Sequence, residues 1–247
     1  LDAVGGREEL YARTGIQLMQ INSLFQVVAR NTREPELVAA AHRLLFVPDL
    51  FHFWLSGEMT TERTIASTSG MLALETGDWD LELMEQLNLP TGMLGSIIDP
   101  GDVVGNVREE IAEATGVRTD VKVIAPGAHD TASAVAAAPV DPSFGDSQWA
   151  YLSSGTWSLL GAELPQSFAS AKSCDAPFTN ELGLAGTTRF LKNIAGLWLV
   201  QELRREVMEA GREISYAEMA EQASEAAAFR TLIDPNAAQF AAPGNMA

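Results

Sequence analysis

The residues best equipped for chemistry are His129 and Asp130, side by side in VIAPGAHDTASAVAAAP, Val123 to Pro139. An apolar run meets Pro126-Gly127, then the two polar side chains, then a run of small residues. A carboxylate at such a turn can accept the proton of an attacking hydroxyl. It can equally serve as a helix N-cap, a role worth about 0.5–2 kcal/mol, and spacing alone favours that plainer role. Two features point back towards chemistry. Gly127 allows a sharp turn or a close approach to a ligand. Ala132, Ser133, Ala134, Ala136, Ala137 and Ala138 keep the following helix slim, so that another group can pack against it. His129 is either a ligand hydrogen-bonder or a satisfied turn residue.

Two further stretches carry polar groups in suggestive settings. Ser153-Ser154-Gly155-Thr156 is a small-residue turn whose N–H groups and hydroxyls suit phosphate, although most such turns are only turns. In RFLKNIAGLWLVQ, Lys192 and Asn193 precede an apolar helical pattern that contains Gln201, and a solvated turn with one exposed glutamine is the simpler account. Several chemistries lack a signature. There is no G-x-x-x-x-G-K-[ST] and no G-x-S-x-G. The single cysteine, Cys174, has no histidine near it in sequence, and His42, His52 and His129 lack zinc-like spacing. No metal site is expected from the residues.

The elements that must position these groups follow from pattern. REELYARTG predicts a helix stopped at Gly15. Asn31 or Thr32 is placed to cap a helix through EPELVAAAHRLL, with Pro35 in its first turn. Pro48-Asp49 opens an aromatic-rich helix ending at Gly57, with Phe51, Phe53, Trp54 and Leu55 expected in the core. MTTERTIASTSGML reads as a polar loop or edge. DWDLELMEQLNLP predicts a helix from about Asp78 to Pro90, PGDVVGNV a turn-rich segment, and REEIAEATG a short helix stopped at Gly116. DVKVIA is a short buried strand. VDPSFGDSQ is a polar turn cluster and the best domain boundary. Two short strands flank Ser153–Thr156 as a hairpin. Pro165 to Leu184 looks irregular. From Thr187 a turn leads to a long helix ended by Gly211, with Leu197, Val200, Leu203 and Val207 at helical spacing. Ser215 and Glu218 form a capping box for a last helix. Helices mixed with strand–turn–helix and hairpin units indicate an α/β or α+β protein in two lobes.

Composition narrows the partners. The chain has 247 residues, 47% hydrophobic and 20% charged, with a net charge of −17. Such a charge repels nucleic-acid backbones and anionic membranes at long range. A small phosphorylated ligand remains compatible, because a local nest of N–H groups binds phosphate regardless of net charge. No run approaches the roughly 18 apolar residues of a membrane span. LDAVGGREEL has neither a basic nor an apolar signal region and begins with Leu, and AAPGNMA closes nothing recognisable. The expectation is a piece of a longer protein, cut at both ends.

Taken in order, VIAPGAHDTASAVAAAP, YLSSGTWSLLG and TTRFLKNIAGLWLVQE resemble the bacterial rhamnulokinase family within the FGGY carbohydrate kinases. TGIQLMQINSLFQ, PDLFHFWLSGE, TIASTSGML and GDWD are similar to it as well. The resemblance implies an actin-like α/β fold with two ribonuclease-H-like lobes and a cleft, incomplete at both ends. Residues 1–140 would be the C-terminal part of the first lobe and 141–247 the N-terminal part of the second. It implies transfer of the ATP γ-phosphoryl group, with Mg²⁺, to the 1-hydroxyl of L-rhamnulose. Asp130 matches the base, His129, Thr131 and Asn193 match sugar contacts, Thr156 an ATP-phosphate contact, and Gln201 an ATP contact. It further implies a cytoplasmic monomer or weak homo-oligomer with no nucleic-acid or membrane partner. Other FGGY sugar or polyol kinases, or an inactive sugar-binding fragment, are the alternatives. The chain has TNELG where the family has a TNEGG-like segment, so that loop inherits no role. The family's Gly-rich phosphate hairpin and adenine segment would lie before Leu1 and after Ala247, so this chain by itself is expected to be inactive.

Overall fold

The computed structural model describes residues 1–141, 149–235, 237 and 240. Two compact units emerge, Leu1–Ala150 with Gly161–Lys192, and Tyr151–Leu160 with Asn193–Ala247. The expected boundary cluster falls largely on 142–148, outside the described residues.

In chain order the elements are α1 (Arg7–Thr14), α2 (Ser23–Arg33), α3 (Pro35–Ala39), α4 (Val47–Ser56), β1 (Thr60–Glu62), α5 (Arg63–Ser67) and α6 (Leu81–Gln86). Strands β2 (Ser96–Ile98) and β3 (Val103–Asn106), helix α7 (Glu109–Thr115), strand β4 (Lys122–Ile124) and helix α8 (Asp130–Ala136) follow. Next come β5 (Tyr151–Ser154), β6 (Trp157–Leu164), α9 (Ala171–Asp175), β7 (Thr179–Leu182) and β8 (Thr188–Ala195), then α10 (Trp198–Glu209) and α11 (Tyr216–Glu225).

In the first unit, β1 pairs in parallel with β2, from Thr60↔Ser96 to Glu62↔Ile98. Strands β3 and β4 pair antiparallel, as do β7 and β8, where Glu181 stands opposite Arg189. The core gathers Leu10, Leu24, Met71, Leu83 and Met84, all at most 2% exposed. A smaller cluster of Val104, Val123 and Ala125 packs with Ile98 and Val107 beneath the β3–β4 ribbon. Glycines in the left-handed region stop α1, α4 and α7 at Gly15, Gly57 and Gly116, as expected.

Several expectations need correction. Asn31 and Thr32 lie inside α2, and α3 begins at Pro35, with Glu34 at the N-cap position making no side-chain cap. In α4, Phe51, Trp54 and Leu55 are 55%, 48% and 39% exposed, while Asp49 and His52 are buried. The cause is a tertiary hydrogen bond: Asp49 Oδ1 accepts the Glu62 N–H at 3.0 Å, which turns the polar side of α4 inward. The Ser/Thr-rich stretch expected to be a polar loop or edge holds β1, a strand of a two-stranded sheet, and α5, and it is buried, with Thr61, Glu62, Thr64 and Ala66 each 0% exposed. Helix α6 starts later than Asp78, because Asp80 caps it by accepting the Leu83 N–H at 2.9 Å. The turn-rich PGDVVGNV contains β3, and Ile124 of the expected buried strand is 54% exposed. Pro165 to Leu184 holds α9 and β7, and the expected turn after Thr187 is β8. Leu197 and Val200 are exposed despite their helical spacing.

The second unit is built on the β5–β6 hairpin turn. Gly155 N–H donates to the Trp157 carbonyl at 2.8 Å. Helix α10 has no side-chain cap. Its first N–H groups use the turn instead: Leu197 donates to the Gly155 carbonyl at 2.9 Å, and Gly196 and Trp198 to that of Thr156 at 3.2 and 3.1 Å. These bonds satisfy donors that a helix start leaves without intrahelical partners. A Cβ on Gly196 would sit 2.7 Å from the Gly155 carbonyl oxygen, so this contact requires glycine. The capping box of Ser215 and Glu218 forms as expected.

Gly15 joins α1 to β7. Its carbonyl accepts from Asn180 N–H at 2.9 Å and from Asn180 Nδ2 at 3.0 Å. Its φ is +68°, and a Cβ there would lie 2.6 Å from Leu74 Cδ1. Gly116 shares the conformation, φ +77°, with nothing within 4 Å. Gly15→Ala is therefore expected to cost about 2–4 kcal/mol, backbone strain plus overpacking, and Gly116→Ala about 1–2 kcal/mol from strain alone. Urea unfolding of the two variants checks this, and equal losses would remove the packing contribution.

Candidate active site

The turn before α8 is held by one carboxylate. Glu62 is fully buried at the start of α5. Its Oε1 accepts from Thr64 N–H at 2.9 Å, and its Oε2 from Thr64 Oγ1 at 2.6 Å, Ile65 N–H at 3.1 Å and Ala128 N–H at 3.0 Å. The Thr64 hydroxyl in turn accepts the His129 N–H at 3.1 Å. Two successive amides of the turn are thus tied to the β1–α5 junction, 65 and 66 residues away in sequence. Gly127 lets Leu184 and Ser133 pack close to the turn, since a Cβ would lie 2.8 Å from Leu184 Cδ1 and 3.1 Å from Ser133 Oγ. The groups that approach closely are side chains of the protein.

Asp130 does not cap its helix. His129 occupies the N-cap position and Asp130 is the first helical residue. The Asp130 side chain is 95% exposed. Its Oδ1 accepts from Thr131 N–H at 2.6 Å and from Thr131 Oγ1 at 3.2 Å. Its Oδ2 has no donor among the described residues. One carboxylate oxygen is therefore anchored and the other is open, as proton acceptance from a bound hydroxyl requires. Thr131 itself is buried, with its hydroxyl turned to Asp130.

Beneath His129 lies a buried pair that sequence reasoning did not select. Arg189 is 0% exposed and Glu181 6%. Arg189 Nη1 lies 3.3 Å from Glu181 Oε2. Arg189 Nη2 lies 3.1 Å from His129 Nδ1 and donates to the Leu182 carbonyl at 3.2 Å. His129 Nδ1 is also 3.2 Å from Glu181 Oε2, yet that oxygen has no hydrogen-bond partner, so this approach lies off the hydrogen-bond axis. Charged residues read from sequence as solvated. The pairing of β7 with β8, which sets Arg189 opposite Glu181, is not visible from either strand alone.

The six residues singled out from sequence divide evenly between the units. His129, Asp130 and Thr131 belong to the first, where the structure brings them together with Glu181, Arg189, Glu62 and Thr64. Thr156, Asn193 and Gln201 belong to the second. There Thr156 is exposed at the hairpin turn, Asn193 lies near the end of β8 and Gln201 in the first turns of α10, both half-buried. A cavity of about 740 Å³ in the first unit is lined by Arg13, Arg63, Glu75, Thr76, Ser167 and Thr188 among others, and by none of the six. Both of its arginines are engaged, Arg13 with Asp80 at 2.5 and 2.7 Å and Arg63 with Asp99 and the Gly77 carbonyl. Among the described residues, no cluster of three or more His, Cys, Asp or Glu could hold a metal.

Burial pushes the Glu181 carboxyl up, but its contact with His129 and the Arg189 guanidinium outweigh that, leaving it below the ordinary 4.5. A depressed carboxyl releases its proton more readily folded than unfolded. Its contribution to stability is complete above about pH 4.5 and is lost as pH falls through the folded value. The advantage of the wild type over Glu181→Gln in thermal unfolding should therefore shrink on acidification from about pH 6 to about pH 3. An advantage independent of pH would contradict the assignment.

Comparison with known proteins agrees with this layout. Residues 1–137 match the FGGY family of carbohydrate kinases, N-terminal domain, and residues 150–247 its C-terminal domain. The rhamnulokinase of Bacteroides thetaiotaomicron is 40% identical over 240 residues, 97% of this chain and 48% of that protein. The rhamnulokinase of Pectobacterium carotovorum is 42% identical over 244 residues, 98% of this chain and 46% of that protein. The chain thus spans about half the length of the curated relatives it matches. Among solved structures, a ligand-bound xylulose kinase from Lactobacillus acidophilus superposes with a TM-score of 0.74 at 20% identity, covering 91% of this chain and 44% of that one. Plasmodium falciparum glycerol kinase with ADP gives 0.70 at 12% identity, covering 90% and 43%. The fold is that of sugar kinases of mixed helix and sheet, and with both domains matched in order the chain belongs to the FGGY family of carbohydrate kinases.

Proposed function

We propose that this chain carries the base-bearing part of an ATP-dependent ketose kinase that phosphorylates L-rhamnulose at its 1-hydroxyl. The observation that carries the reading is Asp130: an exposed carboxylate on a turn fixed by Glu62, with Oδ1 anchored by Thr131 and Oδ2 open. The sugar hydroxyl gives its proton to Asp130 as its oxygen bonds to the γ-phosphorus. The bond between that phosphorus and the β–γ bridging oxygen breaks, and ADP leaves. Such transfer relies on positioning and charge stabilisation, with a carboxylate taking the hydroxyl proton.

The remaining roles belong to the same proposal. His129, Thr131 and Asn193 contact the sugar, Thr156 a phosphate of ATP, and Gln201 the nucleotide. Mg²⁺ enters as part of the Mg–ATP substrate, since magnesium is commonly held by one or two carboxylates together with substrate phosphates. Residues 1–140 and 141–247 are read as parts of the two kinase lobes. A cytoplasmic setting is part of the reading, supported by relatives that are metabolic kinases. No described helix is long and apolar enough to cross a membrane.

The sugar is argued from the relatives named rhamnulokinase at 38–42% identity. A different FGGY substrate is the second reading, favoured by fold likeness to kinases named for xylulose, gluconate and glycerol. Coupled ADP detection across these substrates separates the two, with L-rhamnulose expected to give the highest kcat/KM. In the full-length protein, Asp130→Asn is expected to lower sugar-dependent ADP release about 10²–10⁴-fold. Turnover within a few-fold of the parent would remove Asp130 as the base.

A further inference from the structure

We propose that the buried Arg189–Glu181 pair fixes His129 as the tautomer with a bare Nδ1 and a protonated Nε2, making Arg189 and Glu181 positioning residues for a hydroxyl grip formed by His129 and Asp130. The two nitrogens of a neutral imidazole differ, and the partner of one sets the state of the other. Arg189 Nη2 lies 3.1 Å from His129 Nδ1. A guanidinium has only donors and keeps its protons, so in its contact with Arg189 Nδ1 is the acceptor, and the competing acceptor, Glu181 Oε2 at 3.2 Å from the same nitrogen, lies off the hydrogen-bond axis and receives no hydrogen bond. The proton then sits on Nε2, which faces Asp130 Oδ1 at 3.6 Å.

Arg189 has little freedom to do otherwise. It is fully buried, and its Nε and Nη2 point at the Leu182 carbonyl at 3.4 and 3.2 Å. Glu181, its direct cross-strand partner, supplies the countercharge at 3.3 Å from Nη1. Breaking a buried ion pair by removing one partner is strongly destabilising, so the guanidinium is held in register with the imidazole. The main chain of His129 is fixed independently through Thr64. The ring is therefore held at both ends, with its outer nitrogen as donor.

The consequence concerns the class of group recognised. At 3.6 Å the Nε2–H to Oδ1 approach is too long for a direct hydrogen bond. That donor remains available for the oxygen of a hydroxyl whose hydrogen meets Asp130 Oδ2. A donor and an acceptor side by side give a two-point grip on one alcohol. This consequence rests on the reading of Asp130 as base, whereas the tautomer does not.

Nitrogen-15 NMR of the histidine-labelled chain, without substrate, reads the tautomer directly, with the His129 signal assigned from a His129→Gln sample. The expected result near neutral pH is a bare Nδ1, a protonated Nε2 and a coupling across the hydrogen bond between Arg189 Nη2–H and Nδ1. Arg189→Met removes the donor and leaves the Glu181 acceptor, so the proton is expected to move to Nδ1. An Nδ1–H form or a doubly protonated ring in the wild type overturns the proposal, and so does an unchanged tautomer in folded Arg189→Met. The wild-type measurement decides by itself where that variant does not fold. Because no substrate is present, the tautomer can fail while Asp130 stands, and the Asp130→Asn assay can fail while the tautomer stands.

Discussion

One buried carboxylate carries the local architecture. Glu62 receives four hydrogen bonds, three from the first turn of α5 and one from Ala128. Its own N–H is received by Asp49 on α4. Helix α4, strand β1, helix α5 and the turn before α8 thus converge on one residue that is 0% exposed. A buried polar group of this kind is costly unless every bonding site is met, and here the donors come from segments far apart in sequence. The segments hold the carboxylate, and the carboxylate fixes the backbone from which His129 and Asp130 project.

A second constraint acts from the opposite side. Strands β7 and β8 place Glu181 and Arg189 across from each other and bring both against the His129 ring. The backbone of the turn and the ring of its histidine are therefore set by independent sets of contacts. Asp130, by contrast, is anchored only through Thr131 and otherwise faces solvent. Rigid surroundings with one open carboxylate oxygen suit a group that must meet a substrate at a defined angle. In the second unit the same economy appears without charge. The carbonyls of Gly155 and Thr156 cap α10, leaving the Thr156 side chain exposed at the turn.

Much of the fold was legible in sequence where a single residue type has a local cause. Glycines at 15, 57 and 116 ended helices because only they enter the left-handed region cheaply. The Ser215–Glu218 box and the hairpin around Gly155 were local in the same sense. The failures share a different cause. The polar stretch at Thr60–Ser67 looked like a solvated loop or edge because its partners, Asp49 and the turn at Ala128, are distant in sequence. The aromatic face of α4 looked like core because apolar character predicts burial only when something covers it. The eight residues of β8 looked like a turn because a strand pairing cannot be seen from one strand.

The candidate site divides along the same line. The sequence determined that His129 and Asp130 stand at a strand-to-helix turn before a slim helix, since Gly127 and the alanines act within a few residues. It also determined, through the order of its motifs, the family to which the chain belongs. Only the tertiary structure decided that Asp130 is spared from capping, that Glu62 anchors the turn, and that Arg189 and Glu181 lie buried behind His129. Those outcomes depend on charges and amides separated by about 50 to 70 residues along the chain finding one another in a low-dielectric interior, where an unmet partner is costly.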